Sequence, residues 1–385
     1  MELVYSPEIP SSSFTKSIFL AGPSPRHPSH LNWRIEAIKI LEEIGYDGVV
    51  FLPLPRAGGW SHSYDFQVEW ENTYMQMADQ IVFWVPREMS TLPGFITNVE
   101  FGMWYKSGKI VLGYPIEAQK MRYLVHHAQE QFVPISNSLK ETLELAIGRL
   151  GEGAYRTLGE REVPLYIWQT ESFQNWYKAQ KEVGNRLDGA KVVWTFRVGP
   201  TQDFVFFWAL HVNMYIDSEN RNKTNEVVIS RPDIATIVVY KKAEQLLDTL
   251  IVLIKEFRVS ASTSDGFIRE LPGGSSWKLN EDSFVIATHE LAEETGFFVD
   301  ASRLRLVGER QIIGTAFTHK AHVFACEIND QEIEFFKAQF GIIHGVAEDT
   351  EHTYVEIHRL GDLLKPDSNL VDWSMLGMIM TALSQ

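Results

Sequence analysis

Over residues 1–150, short apolar runs alternate with helical patterns. Ser17–Gly22 (SIFLAG), Val49–Leu54 (VVFLPL), Gln80–Val85 (QIVFWV) and Lys109–Tyr114 (KIVLGY) read as strands with no polar face. Between them, Trp33–Ile44 sets Ala37, Ile38, Leu41 and Ile44 on one stripe of a helix, and Glu71–Met77, Asn98–Lys106 and Leu139–Leu150 continue the alternation. Strands apolar on both faces and separated by helices predict a parallel sheet covered by helices on both faces, an α/β domain over residues 1–150. Gly151–Pro164, rich in Gly and charge, is the expected boundary. Residues 151–230 are expected to form a linker and an N-terminal extension of the next domain. They hold an aromatic-rich helix around Phe173–Lys181, β-rich runs at Lys191–Val198 and Phe204–Ile216, and a polar loop, Asp217–Asn225. From Ile234 the pattern becomes strand (IATIVVY), strand (TLIVLIKEFR), LPGG and a helix, closing on an apolar helix at Leu370–Leu383. Residues 231–385 are therefore expected to be a separate domain.

Composition supports an ordered multidomain chain. With 385 residues, 45% hydrophobic and 22% charged, there is apolar surface enough to offset the ordering entropy. Fifty acidic against 35 basic residues give a net charge of −15. That argues against a duplex nucleic-acid partner, which requires a cationic face. A small nucleotide remains compatible, since a metal ion can screen its phosphates. The single cysteine, Cys326, excludes an internal disulfide or thiolate zinc site. No apolar run reaches membrane-spanning length and no secretory pattern opens the sequence, so a cytoplasmic protein without a membrane partner is expected.

The strongest chemical signal is Glu270–Phe297, ELPGGSSWKLNEDSFVIATHELAEETGF. Glu290, Glu293 and Glu294 at i, i+3 and i+4 share one helix face. Like charges so placed repel unless a cation sits among them, and hard divalent cations take oxygen ligands. Gly273–Gly274 lets the backbone approach a ligand. Three glutamates alone would equally describe a solvated acidic face. The stretch as a whole resembles the Nudix box, in which a Glu precedes Arg-Glu-aliphatic-any-Glu-Glu-any-Gly-aliphatic. Glu281 and HELAEETGF match it, with His289 at the Arg position and Ser275 at the glycine position. IVLIKEFR and RELPGG resemble the flanks of ADP-ribose and nucleotide-sugar pyrophosphatases. The resemblance implies an α+β fold with a mixed sheet and a catalytic helix. It also implies Mg²⁺, or Mn²⁺, on Glu290, Glu293 and Glu294, with Glu293 also catalytic. A late-loop Glu acts as base in that subfamily, for which Glu348 and Glu351 are candidates; plain loop acidity describes them as well. Glu270 and Gly274 are candidate substrate contacts. Arg258, just after a strand, is either a phosphate contact or an ordinary ion pair.

A further constellation lies at strand ends of the first domain: FLAGP with Gly22 and Pro23, Asp79, and GFITNVEFG with Glu100. Open parallel sheets bind ligands at the carboxyl ends of their strands. A carboxylate there can attack an anomeric carbon; a Glu in a helix's first turn also simply suits the helix dipole. IFLAGP, the Trp-Arg helix, ADQIVFWVPR and TNVEFGMWYKSGKIVLGYP resemble nucleoside 2-deoxyribosyltransferases over roughly residues 15–125. The resemblance implies that Glu100 is the nucleophile and Asp79 a sugar- or base-holding group. The family's second Asp, shortly before the nucleophile, has no counterpart, and Asn98 stands as its substitute. Trp33, Trp60, Trp70, Trp84 and Trp104 offer stacking faces, but tryptophan is most often core and none is assigned to a ligand.

Taken together, the two resemblances imply a bifunctional enzyme acting on small-molecule nucleosides or nucleotides. The front domain would cleave or transfer an N-glycosidic bond, and the rear domain would hydrolyse a nucleoside diphosphate-linked substrate such as ADP-ribose. The alternative is a nucleotide or ADP-ribose sensor with a weak or inactive Nudix site. The aromatic richness of residues 152–230 suits a homo-oligomer interface.

Overall fold

A computed structural model describes residues 1–25, 32–56, 63–276, 278, 281–345, 351–366, 368 and 371–385. The chain divides into two compact units, Met1–Ile229 and Ser230–Gln385.

The first unit is built on a six-stranded sheet. Its order is Glu2–Tyr5, Val49–Leu52, Ser17–Ala21, Gln80–Trp84, Ile110–Gly113 and Ile135–Ser136. Every pairing is parallel. The central strands are buried at every position, because helices cover both faces. On one side Trp70, Tyr74, Phe101 and Leu124 come from helices Tyr64–Met77, Phe95–Trp104 and Arg122–Glu130. On the other, Ala37, Leu41, Leu143 and Ala146 come from helices Trp33–Glu43 and Leu139–Leu150. Side-chain caps from Asn32, Ser63 and Ser138 satisfy orphan amides and start three of these helices.

The stretch expected to accompany the second domain clusters with the first instead. Arg156–Thr157 pairs with Ser13–Phe14 as a short ribbon, and Arg156 is fully buried. Helix Glu171–Glu182 packs Phe173 and Tyr177 against Trp208 of an antiparallel sheet, Arg186–Val198, Phe204–Ile216 and Arg221–Ser230. The Gly- and charge-rich composition of Gly151–Pro164 suggested a linker because composition does not show which charges are buried in pairs. The expected polar loop Asp217–Asn225 is shorter: a turn ends at Asn220, in the left-handed region, and a strand begins at Arg221. That strand is polar because only the backbone ladder, not a core, holds its first residues.

The second unit contains a mixed sheet ordered Arg305–Gln311, Lys320–Glu327, Ile234–Lys241, Leu250–Phe257, Thr353–Arg359 and Ile343–His344. Ile234–Lys241 and Lys320–Glu327 run parallel, and the other pairings are antiparallel. Helices Ser283–Thr295 and Asp330–Ala338 cover one face through Ala287, Leu291, Ile333 and Phe336. Helices Leu360–Leu363 and Trp373–Leu383 cover the other through Leu360, Leu363, Ile379 and Ala382. Cys326 is buried as a free thiol. Among the described residues, no helix is long and apolar enough to cross a membrane.

Candidate functional site

In the first unit, strand Ser17–Ala21 is followed in the chain by Val49–Leu52 on one side of it, whereas Gln80–Trp84 lies on the other. The connections thus part between Ser17–Ala21 and Gln80–Trp84, and a crevice opens at their carboxyl ends. It is a cleft of about 460 Å³, lined among others by Gly22, Pro23, Arg34, Gln67, Glu71 and Glu100. Gly22 turns the chain at φ +145°, where a Cβ would meet the Trp84 carbonyl oxygen at 2.2 Å. Gly22→Ala is therefore expected to destabilise this unit by about 1–3 kcal/mol, read by urea denaturation. Arg34 fixes the turn from beneath. Its Nε donates to the Leu20 carbonyl at 2.9 Å, one terminal nitrogen to the Gly22 carbonyl at 2.7 Å and the other to Ser24 Oγ at 3.1 Å.

Glu100 is the sixth residue of helix Phe95–Trp104, whose first turn holds no acid. The helix-dipole account of Glu100 therefore does not apply. Burial, followed by the Glu71 charge, pushes the Glu100 carboxyl up to about 7, while Arg34 opposes the rise. Burial also raises Glu71, against Gln67 and Arg34. Gln67 Nε2 donates to Glu71 Oε1 at 2.7 Å, and the Ser6 hydroxyl donates to Gln67 Oε1, so Glu71 is held in place. Glu71 and Gln67 escaped the sequence reading. The signal was present: positions 67, 70, 71 and 74 form one helical stripe, with polar Gln67 and Glu71 beside buried Trp70 and Tyr74.

Two expected members do not join this cleft. Asp79 lies at the amino end of strand Gln80–Trp84 and is 1% exposed. Its carboxylate accepts from both Arg156 terminal nitrogens at 2.8 and 2.6 Å, from the Ser17 amide and hydroxyl at 2.9 and 3.0 Å, and from the Leu165 amide at 3.1 Å. It is a structural pair rather than a sugar contact. Removing one partner of a buried ion pair strands the other, so Asp79→Ala is expected to cost about 3 kcal/mol by urea denaturation. Asn98 lies two positions from Glu100, hence on another helix face, and accepts from Arg87. Trp33, Trp70 and Trp84 are buried in the core; Trp60 lies outside the described residues.

In the second unit, Asp282 caps helix Ser283–Thr295, accepting from the Phe284 amide at 2.8 Å. The helix sends Ala287 and Leu291 into the core and Glu290, Glu293 and Glu294 to a pocket of about 700 Å³. Glu270, Gly274, Arg258, His289 and Glu351 line the same pocket, as do Arg231 and Lys278. Glu348 lies outside the described residues. Burial, then Glu293 and Glu351, pushes Glu290 up to about 7 against the pull of Arg231. Burial and Glu290 hold Glu294 well above the carboxylate range, although the Gly273 amide donates to its Oε2 at 2.8 Å. At Gly274 a Cβ would sit 2.5 Å from the Glu290 carboxylate, so backbone and carboxylate approach closely there. Ser275, at the position expected for glycine, instead donates to the Asp233 carbonyl at 2.8 Å.

Arg258 donates to Glu270 Oε2 from Nε at 3.0 Å and from a terminal nitrogen at 2.8 Å, and pairs with Glu256 at 2.8 Å. Its charge is thus already matched at the pocket wall, in keeping with the ion-pair alternative for this residue. Glu256, unforeseen from the sequence, is pushed up to about 7 by burial, with Arg258 opposing. Among the described residues, no three His, Cys, Asp or Glu side chains gather closely enough to hold a metal ion. The carboxylates of Glu290, Glu293 and Glu294 share one helix face, and the proton affinities of Glu290 and Glu294 are raised by burial first and by carboxylate repulsion second.

Comparison with known proteins bears on the first unit. No curated protein matches the chain. Residues 15–117 match the family model described as "Nucleoside 2-deoxyribosyltransferase like", a span that includes Gly22, Arg34, Glu71 and Glu100 but not the second unit. Residues 15–117 are thus a nucleoside 2-deoxyribosyltransferase-like domain, and this supports a nucleoside-metabolising function.

Proposed function

We propose that the first unit breaks the N-glycosidic bond of a nucleoside or nucleotide. The observation that carries this reading is the convergence of Glu71 and Glu100 on one cleft at the strand carboxyl ends. Burial raises the proton affinity of both carboxyls, so two groups able to exchange protons near neutrality face one cleft. The Glu100 carboxylate attacks the anomeric carbon. The carbon–nitrogen bond breaks, its electron pair leaves with the base, and the Glu71 proton passes to the departing nitrogen. Water or an acceptor base then cleaves the glycosyl ester, returning a proton to Glu71 and releasing Glu100. Arg34 holds the Gly22 turn that closes the cleft. Chromatography of a deoxynucleoside panel tests this: free base, or exchanged base in the presence of an acceptor, is expected without added metal. No product from any member overturns it.

For the second unit, the proposal is hydrolysis of a nucleoside diphosphate-linked substrate such as ADP-ribose, assisted by Mg²⁺ or Mn²⁺. Glu290, Glu293 and Glu294 would hold the ion, which would supply charge neutralisation on phosphoryl oxygens and an acidified water. The chain's own groups do the rest. Arg231 gives the pocket cationic character toward phosphate oxygens, and Glu351 is the candidate proton acceptor. The Nudix-like spacing of Glu281 through Gly296 and the shared pocket support this reading. AMP released from ADP-ribose only with the cation is the expected result. Thermal stabilisation by ADP-ribose without AMP release would make the pocket a binding site, as the position of His289 in place of the family Arg allows.

A further inference from the structure

Helix Phe95–Trp104 has a second cleft on its other side, about 520 Å³ in volume. Pro93 and Phe95 border both clefts, but Glu100 and Glu71 line only the first. The second is bounded by Arg87, Asn98, Tyr105, Lys120, Tyr123 and His127.

Arg87 is the telling residue. It follows strand Gln80–Trp84 and is only 4% exposed. One terminal nitrogen donates to the Lys120 carbonyl at 3.1 Å and the other to the Asn98 side-chain oxygen, while Nε has no partner. Both acceptors are neutral, and a guanidinium carries five donors. A buried cation without a counter-charge is costly, and here burial alone depresses its proton affinity, with no carboxylate offsetting it. Lys120, which shares the cleft, forms no salt bridge among the described residues. No Asp or Glu lines this cleft among the described residues, although the chain as a whole carries −15.

Much of the remaining wall is aromatic, with Met89 and Leu124 beside the rings. Tyr105 and His127 have ring centroids 5.3 Å apart, and Tyr123 meets His127 edge-on at 4.6 Å. Phe101 stacks behind Tyr105 at 6.0 Å. Two cationic side chains and an aromatic wall in one cleft match a ligand with an anion and a planar ring.

We propose that this cleft binds a phosphate monoester carrying an aromatic base, a mononucleotide. Arg87 and Lys120 take the phosphate, Asn98 orients Arg87, and the base lies against Tyr105 and Tyr123. The site requires no reaction and stands apart from the glycosidic reading of the Glu100 cleft.

Isothermal titration of the full chain with AMP, adenosine and inorganic phosphate tests it. AMP is expected to bind at least about tenfold more tightly than adenosine, with phosphate competing. Lys120→Gln, at an exposed position, should weaken AMP about tenfold and leave adenosine unchanged. Arg87→Lys should weaken AMP as well, because a lysine cannot present the planar fork. Glu100→Gln should bind AMP no more weakly than the parent chain, which separates this cleft from its neighbour. Equal affinity for AMP and adenosine, or AMP affinity unchanged in both Lys120→Gln and Arg87→Lys, overturns the proposal.

Discussion

Glu100→Gln is expected to lower base release from the first unit at least about a thousandfold, because the amide retains the shape but loses the nucleophile. Glu71→Gln should cost about a hundred- to ten-thousandfold through loss of the proton donor. The pH profile carries independent information. With the Glu100 carboxyl held near 7, cleavage should rise with pH through that value as the nucleophile ionises. Stability should run the other way. A carboxyl whose folded value is raised from 4.5 to about 7 favours the fold fully below 4.5 and loses that contribution as pH rises through 7. Glu100→Gln removes this liability, so near about pH 8 the inactive variant should be more stable than the parent by on the order of 2 kcal/mol. Urea denaturation at about pH 5 and about pH 8 reads the difference. An inactive variant that is also less stable at the higher pH would point to a folding defect instead.

The second large effect is expected at Glu293. Glu293→Gln should reduce cation-dependent AMP release from ADP-ribose on the order of a hundred- to a thousandfold, with base release from the first unit unchanged. The pocket's electrostatics add a readout free of catalysis. Glu290 near 7 and Glu294 well above the carboxylate range favour the fold while protonated, and this contribution is lost as pH rises through about 7 and beyond. A divalent cation should reverse the loss by offsetting the carboxylate repulsion, so Mg²⁺ should raise the melting temperature more at about pH 8 than at about pH 5. Its binding near neutrality should release protons, measurable by titration in buffers of different ionisation enthalpy. Identical Mg²⁺ stabilisation at both pH values, retained in Glu293→Gln, would remove the carboxylate helix as its site.

Both sets of predictions rest on features that the sequence revealed unequally. The buried parallel strands were legible because a strand covered on both faces must be apolar throughout, as Gln80–Trp84 is. The carboxylate helix was legible because i, i+3 and i+4 fix which side chains share a face, and the structure brings Glu290, Glu293 and Glu294 to one pocket with Glu270, Gly274 and Glu351. Glu100 stood out through the resemblance of the stretch around it, and the structure places it in the cleft. Asp79 was misjudged because its partner, Arg156, lies 77 residues away, and no local pattern reveals a buried pair. Asn98 was misjudged by proximity in sequence, where a separation of two residues turns a side chain away from Glu100.

By itself, the sequence determined the alternation of strands and helices, the apolar faces, the left-handed turn positions available to glycine, and the acidic stripe of the second unit. These follow from periodicity and backbone sterics within a few residues. Only the tertiary structure decided that residues 151–229 pack with the first unit, that Gln67 and Glu71 complete the Glu100 cleft, that Arg258 is already paired, and that Arg87 is buried without a counter-charge. Those outcomes depend on burial and on charges brought together from distant strands, because desolvation and Coulomb interactions act through space rather than along the chain.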